Sequence, residues 1–420
     1  MNPLITVTGP LLLLLLAFVA QSTTHWEEKQ VLKQLKNNLV PESITASSCL
    51  STWDFSLDPC DNLFTDKFTC GFRCDAVDVS GTTHLTQLTL DPAGYTGPLP
   101  ATWNLPYLET LDLSNNHFTG QIPDSLSNLT RLTQLALSKN SFTGPIPSSI
   151  ASLVNLQHLS LDNNNLQGTI PVNFKALTNL KRLEMHSNNL NGVVPDFTSL
   201  QNLLYLDLSF NSLTGPFPST FPKSLLQISM RNNTLNAALE SEALRNLTYL
   251  QVLDLSSNNF TGSVPFVLFE LPSLQQLTLS YNEFSNIETP SHAFDTRSGV
   301  IAVDLSNNEL RGFLPLFLSL MPKLSSLSLE NNKFVGMIPT QYALKTVFPE
   351  PGVAPFERLL LGGNYLFGGI PSALMALEPG SANVRLVDNC FYRCPVSFFF
   401  CQGGEQKSSQ ECKRFSHFIP

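Results

Sequence analysis

Hydrophobic and polar positions along this chain fall into blocks that return every 24 residues. The clearest block, Leu108 to Pro123 (LETLDLSNNHFTGQIP), follows the pattern LxxLxLxxNxLxGxIP. It recurs at Leu132 to Pro147, Leu156 to Pro171 and Leu180 to Pro195. Leu111 and Leu113 alternate with Thr110, Asp112 and Ser114, which predicts a short strand with leucines on one face and polar side chains on the other. Phe118 and Ile122 return to the core, and Gly120 and Pro123 shape the far side of the coil. One block cannot bury its apolar face alone, but stacked copies can. Self-similarity at this period therefore predicts a solenoid.

Asn116 ends the strand of its block. Its amide carries two donors and an acceptor, enough to satisfy backbone groups where the chain turns away. The same position is filled by Asn140, Asn164, Asn188, Asn211, Asn233, Asn258, Asn282, Asn308, Asn332 and Asn364, so the asparagines should form a ladder along the solenoid. An earlier copy, Leu85 to Pro100, has Ala93 at this position and brings the repeats to twelve, over residues 85–371. At about 4.8 Å per strand, twelve strands span roughly 55–60 Å. The seventh repeat has Ala237 and the ninth Asn286 where glycine is usual, which should loosen the outer side locally.

The two ends depart from the repeat. In residues 1–22, Leu11 to Ala20 is a ten-residue apolar run followed by Ala20-Gln21-Ser22; this reads as a signal peptide cleaved after Ala20 or Ser22, although no Lys or Arg precedes the run. Residues 23–84 read as an N-terminal cap. His25 to Val40 is predicted as a helix with Trp26, Val31, Leu32, Leu35 and Leu39 on one face. Residues 372–420 read as a partial repeat and a second cap, in which the phenylalanines of CPVSFFFC cover the last repeat. All eight cysteines lie in the caps: Cys49, Cys60, Cys70 and Cys74 at one end, Cys390, Cys394, Cys401 and Cys412 at the other. Paired with a signal peptide, they predict two disulfide-closed caps in an oxidising compartment, with three possible pairings in each. Zinc is the alternative for Cys70 with Cys74 and Cys390 with Cys394, and is disfavoured in a secreted chain.

Charge narrows the function. A net charge of −9 with 14% charged residues argues against a nucleic-acid binder and against nonspecific adhesion to anionic polysaccharide or anionic lipid. Four sequons, at Asn128, Asn232, Asn246 and Asn259, agree with secretion. No apolar stretch of about 20 residues follows the repeats, so a soluble extracellular product without a transmembrane helix is expected once the signal is removed. No cofactor motif is present. Residues 340–355 (TQYALKTVFPEPGVAP) lengthen one step to 32 residues, and PEPG predicts a loop that is a candidate binding element.

The motif LxxLxxLxLxxNxLxGxIP, with a cap carrying CLSTWDFSLDPC and FTCGFRCD, resembles the plant-specific class of extracellular leucine-rich repeats, as in receptor-like proteins and receptor-kinase ectodomains. The resemblance runs from residue 25 to about 412. It implies an α/β repeat solenoid, a right-handed superhelix with a parallel sheet on its concave face and a second short sheet at the GxIP segments. It also implies recognition of an extracellular peptide, protein or membrane receptor kinase ectodomain on the concave face, in signalling or defence, with a location at the cell wall or at the plasma membrane through a partner. Polygalacturonase-inhibitor proteins are more distantly similar, with four cysteines at each end but typically fewer repeats. They keep open a microbial wall-degrading glycosidase as partner; a passive wall scaffold is a third reading.

The register also identifies the inner-face side chains. Asp112, Asp207, Asp254 and Asp304 fill the default aspartate of LDLS and are expected to serve repeat architecture. Departures from the default are more informative: His158, then Arg182, Glu184 and His186, then Tyr205 and Phe210, then Arg231, with Tyr281 further on. Aromatic residues and arginine most often carry binding energy, so these form the candidate partner-binding patch. His158 and His186 would add pH sensitivity through ordinary imidazole titration. Glu184 with Asp207 is the best carboxylate pair, but an open solvated sheet offers no cleft to raise one pKa, and no GxSxG elbow is present; the chain is read as non-enzymatic.

Overall fold

The computed structural model describes residues 23–290 and 298–415. The signal-peptide reading of residues 1–22 and the terminal SHFIP segment lie outside the described residues. The backbone is a stack of coils. Each contributes a three-residue strand to one long sheet, from Gln87–Thr89 and Thr110–Asp112 through to Arg358–Leu360 and Asn383–Arg385, every pair parallel and in chain order. Pairing is leucine to leucine, as in Leu111 with Leu135 and Leu159 with Leu183. The inward leucines of successive coils therefore pile into one continuous core.

The asparagine ladder explains why the coils turn where they do. Asn258, buried, accepts at Oδ1 from Leu235 N–H of the preceding coil at 3.0 Å. Its Nδ2 donates to Met230 C=O at 3.0 Å and to Leu255 C=O at 3.1 Å. The other rungs repeat this geometry. Beyond Asn364 the structure adds a rung that the sequence reading missed: Asn389, buried, accepts from Leu366 N–H and donates to Leu361 and Leu386 C=O. Gln406 then stands in for a last asparagine. It accepts from Phe391 N–H at 3.3 Å and donates to Leu386 C=O at 3.2 Å, closing the ladder where the repeats stop.

The default aspartates have a local task. Asp207 accepts from Ser209 N–H and Oγ, and Asp254 does the same with Ser256, while Asp112 and Asp304 accept the N–H of Ser114 and Ser306. LDLS thus pins the end of its own strand.

On the outer side a nine-stranded parallel sheet runs from Thr96–Pro98 to Glu283–Ile287, and a separate four-stranded sheet from Arg311–Phe313 to Cys390–Phe391. The nine-stranded sheet ends at the ninth repeat, the one with Asn286 in place of glycine. The seventh repeat behaves otherwise: Ala237 takes the left-handed backbone (φ 72°) and its strand still pairs with Asn259–Val264. Its pairing with the preceding strand is shorter, at two positions, Thr214 with Thr234 and Gly215 with Leu235. Gly192 is less forgiving. It has φ 75°, and a Cβ there would meet Thr169 Cγ2 at 2.8 Å. Gly192→Ala should cost about 1–2 kcal/mol, read as a lower denaturation midpoint.

The caps close both open ends. Phe72–Arg73 pairs antiparallel with Gln87–Thr89 at the N-terminal edge, and the helix Trp26–Asn37 buries Val31, Leu32 and Leu35. Trp26, expected on that buried face, is 67% exposed, and Glu28 takes the inward place. At the far end Leu386 N–H donates to Phe400 C=O, and Phe400 is buried. The cysteines pair as Cys49–Cys70, Cys60–Cys74, Cys390–Cys412 and Cys394–Cys401. These pairs leave none of the eight free for the zinc alternative.

The 340–355 insertion is not a plain loop. Thr340–Val347 is a helix, with Tyr342, Ala343, Lys345 and Thr346 buried. Pro339 precedes it, and Tyr342 Oη donates to Pro315 C=O at 2.8 Å. The turn forced by PEPG is confined to the residues after the helix. No helix among the described residues is long and apolar enough to cross a membrane.

Candidate functional site on the concave sheet

Parallel register sets the spacing of the inner face. His158, Arg182, Tyr205 and Gln227 occupy one row across four successive strands, and Ser160, Glu184, Asp207 and Ser229 the next. Elsewhere these rows carry mostly Gln, Thr, Ser and Asp, until Arg358 and Arg385 near the C-terminal end. Here large side chains meet and hold one another. The Arg182 guanidinium lies over the Tyr205 ring, 4.2 Å from its centroid, and its Nη1 donates to Glu184 Oε1 at 2.8 Å. Glu184 Oε2 accepts from Ser160 Oγ at 3.0 Å. Arg182, Glu184 and Tyr205 remain half-exposed, so the array is ordered and accessible together.

His186 stands beside this array between two carboxylates. Its Nε2 is 3.6 Å from Asp162 Oδ2 and its Nδ1 is 3.5 Å from Asp207 Oδ2. Asp162 was not singled out from sequence. It is buried where half of the repeats carry serine, and it accepts from Ser138 Oγ and from Asn163 Nδ2. The substitution of aspartate for serine beside a ladder asparagine was the available signal.

Phe210 and Arg231 form a second pair on the turn beyond the strands. Phe210 N–H donates to Arg231 C=O at 2.8 Å, and the Arg231 guanidinium lies 5.3 Å from the Phe210 ring centroid. Phe210 has φ 53° and Tyr281 has φ 56°, at the position where other coils carry Asn115, Lys139, Asn163, Ser187, Asn232, Ser257, Asn307 and Asn331, so the left-handed turn belongs to the repeat whatever residue fills it. A bulky side chain in the left-handed region is an outlier, and asparagine tolerates it better. Tyr281 stands three strands from Phe210, separate from the patch. His158 borders Arg182 on the next strand. Desolvation, then the charges of Arg182 and Lys181, push its pKa below the ordinary imidazole value. That opposes the gain of charge expected from it in mildly acidic fluid.

Glu184 and Asp207, the candidate carboxylate pair, are engaged as acceptors on an open sheet. The arrangement presents fixed donors, acceptors and aromatic faces to a partner.

The family pattern described as "Leucine-rich repeat region" matches residues 97–335, more than half of the chain. The chain belongs to the leucine-rich repeat family. Its structure is similar to the ectodomain of the Arabidopsis thaliana membrane receptor kinase GASSHO1/SCHENGEN3, solved in complex with Casparian strip integrity factor 2. That match has 28% identity and a TM-score of 0.50, and covers 77% of this chain and 46% of the other. A TDR receptor structure is also similar, at 26% identity and a TM-score of 0.49, over 80% of this chain and 70% of the other. In sequence, a probable leucine-rich repeat receptor-like serine/threonine-protein kinase of Arabidopsis thaliana is 31% identical over 127 residues, 27% of this chain and 11% of that protein. The chain thus spans under half of the first solved relative and about a tenth of the receptor-like kinase.

On this leucine-rich repeat protein the four sequon asparagines, Asn128, Asn232, Asn246 and Asn259, are all exposed. Asn232 follows Arg231 directly, so a glycan there would crowd the Phe210–Arg231 pair. The strand faces of Arg182 and Tyr205 lie on earlier coils, away from it.

Proposed function

We propose that this leucine-rich repeat protein is an extracellular recognition protein that binds a peptide or a protein segment along its concave face. Its output would pass through a membrane partner, in plant signalling or defence. The observation that carries this reading is the Arg182–Tyr205–Glu184 array: three large side chains on adjacent strands, prearranged by contacts with one another and still accessible. Preorganised side chains lose little entropy on binding. The similarity to a receptor-kinase ectodomain solved in complex with Casparian strip integrity factor 2 agrees with it. Secretion through the 1–22 signal and glycosylation at the sequons belong to the same proposal.

The test is a pull-down from extracellular fluid and solubilised membranes, comparing the unmutated protein with Tyr205→Ala/Arg231→Ala. The captured partner is then titrated against both. Loss of these two side chains should weaken binding at least tenfold, since aromatic and arginine hot spots are worth about 2 kcal/mol or more each. Equal affinity for both proteins would remove the patch from the site. Capture of a secreted glycosidase would turn the reading towards inhibition.

A further inference from the structure

The insertion that lengthens the eleventh coil builds a pocket on the convex side, remote from the concave sheet. It lies between the helices Leu316–Leu320 and Thr340–Val347 and the segment that follows the second helix. Leu320, Leu344, Phe348 and Val353 supply its apolar wall, the first three exposed to solvent, so it is a half-open groove with a volume of about 160 Å³. A cavity of about 150 Å³ takes a benzene-sized group.

Lys345 also lines this pocket, and it is only 4% exposed. Its Nζ donates to Met321 C=O and lies 4.9 Å from the Phe356 ring centroid. No carboxylate pairs with it among the described residues, so a cation with three donors has one acceptor and one aromatic face. Buried charges are ordinarily paired. Burial pushes its pKa down to about 8. Met321 and Phe356 lie outside the pocket lining, so meeting an anion there takes a swing of the flexible Lys345 stem away from Met321.

We propose that this pocket binds a small monocyclic aryl carboxylic acid, with its ring against Leu344 and Phe348 and its carboxylate on Lys345 Nζ. An incoming carboxylate supplies the counter-ion that the fold omits, and the apolar wall selects the ring. Glu350 is the other titratable residue lining the pocket. Its carboxylate repels any negative charge that enters, the first included, so a diacid is disfavoured more than a monoacid.

The probe is phenylacetate, with 2-phenylethanol as its neutral counterpart, titrated calorimetrically into the full chain at millimolar concentration. Phenylacetate should bind at pH 7 at least tenfold more tightly than the alcohol. Lys345→Met should remove that preference, and Phe348→Ala should weaken both compounds. With an amine titrating at about 8, the charged fraction falls from roughly nine-tenths at pH 7 to one-tenth at pH 9, so affinity should fall about tenfold. Glu350→Gln should keep that pH dependence. Absence of binding at pH 7, equal affinity for acid and alcohol, or a flat profile between pH 7 and 9 would each overturn the proposal. The last two are read on the unmutated protein, so they decide even if Lys345→Met does not fold.

Discussion

Asn258→Leu is expected to destabilise the protein by on the order of 3–5 kcal/mol while leaving its size nearly unchanged. Leucine fills the space, so the loss is one of hydrogen bonds. Met230 C=O keeps the Asn233 amide and Leu255 C=O keeps the Asn282 amide, because each of these carbonyls accepts from two successive rungs. Leu235 N–H has no such reserve: its acceptor is Asn258 Oδ1, and the substitution leaves it buried and unpaired. An orphaned buried donor costs about 1–3 kcal/mol, and each lost amide bond adds about 1. Stability in a solenoid is a sum of coil and neighbour terms, so hydrogen exchange should accelerate in the seventh and eighth coils and little elsewhere. A cost below about 1 kcal/mol in denaturant unfolding would show that water satisfies Leu235 and that the ladder is less protective than its geometry suggests. Gln406→Ala, at the exposed end of the same ladder, should cost less.

That ladder also shows what a repetitive sequence makes legible. Wherever LxxLxLxxN recurs, the position of each asparagine, each inward leucine and each inner-face side chain follows from a fixed register. Arg182, Glu184 and Tyr205 could therefore be assigned to adjacent strands without coordinates. Asn389 escaped because its coil, ending in a cap cysteine, lacks the GxIP half of the motif. Gln406 escaped because it replaces asparagine with one more methylene and lies outside any repeat. The insertion helix was hidden by the prolines that follow it: PEPG signals a turn, but Pro339 and the buried face of Tyr342 and Lys345 start a helix before it. Asp162 looked like one more polar residue until the fold buried it against His186. Disulfide pairing within each cap depended on backbone paths that spacing does not encode.

Loss of the Glu28 side chain should have an effect of similar size at the other end of the molecule. Glu28 is fully buried, yet it is the hinge between the cap helix and the first repeat. Its Oε2 accepts from Leu85 N–H at 2.9 Å, and its Oε1 is 2.9 Å from His84 Nδ1, whose other nitrogen is 3.3 Å from Asp78 Oδ2. Glu28→Ala leaves the Leu85 donor and the imidazole Nδ1 unpaired together, while Nε2 keeps Asp78, and breaking a buried pair in this way costs about 3–5 kcal/mol. The cap would then open over Leu85 and Leu88, so the variant should aggregate on heating as well as unfold earlier. Glu28→Gln is the control. Its amide oxygen can still accept from Leu85, its NH₂ can donate to a neutral imidazole, and the cost should stay near 1 kcal/mol. The two proteins should also differ in pH dependence. Desolvation raises the Glu28 pKa above its ordinary value, against the opposing pull of Leu85 N–H and His84. A raised carboxyl contributes stability below its unfolded pKa and loses it as pH rises through the folded one. The unmutated protein should therefore lose stability relative to Glu28→Gln as pH climbs from below 4.5 through that raised value, measured as denaturant midpoints on both. A constant difference across that range would mean that burial and the pull of Leu85 N–H and His84 cancel, and a gain in stability with rising pH would mean that they hold Glu28 ionised against burial.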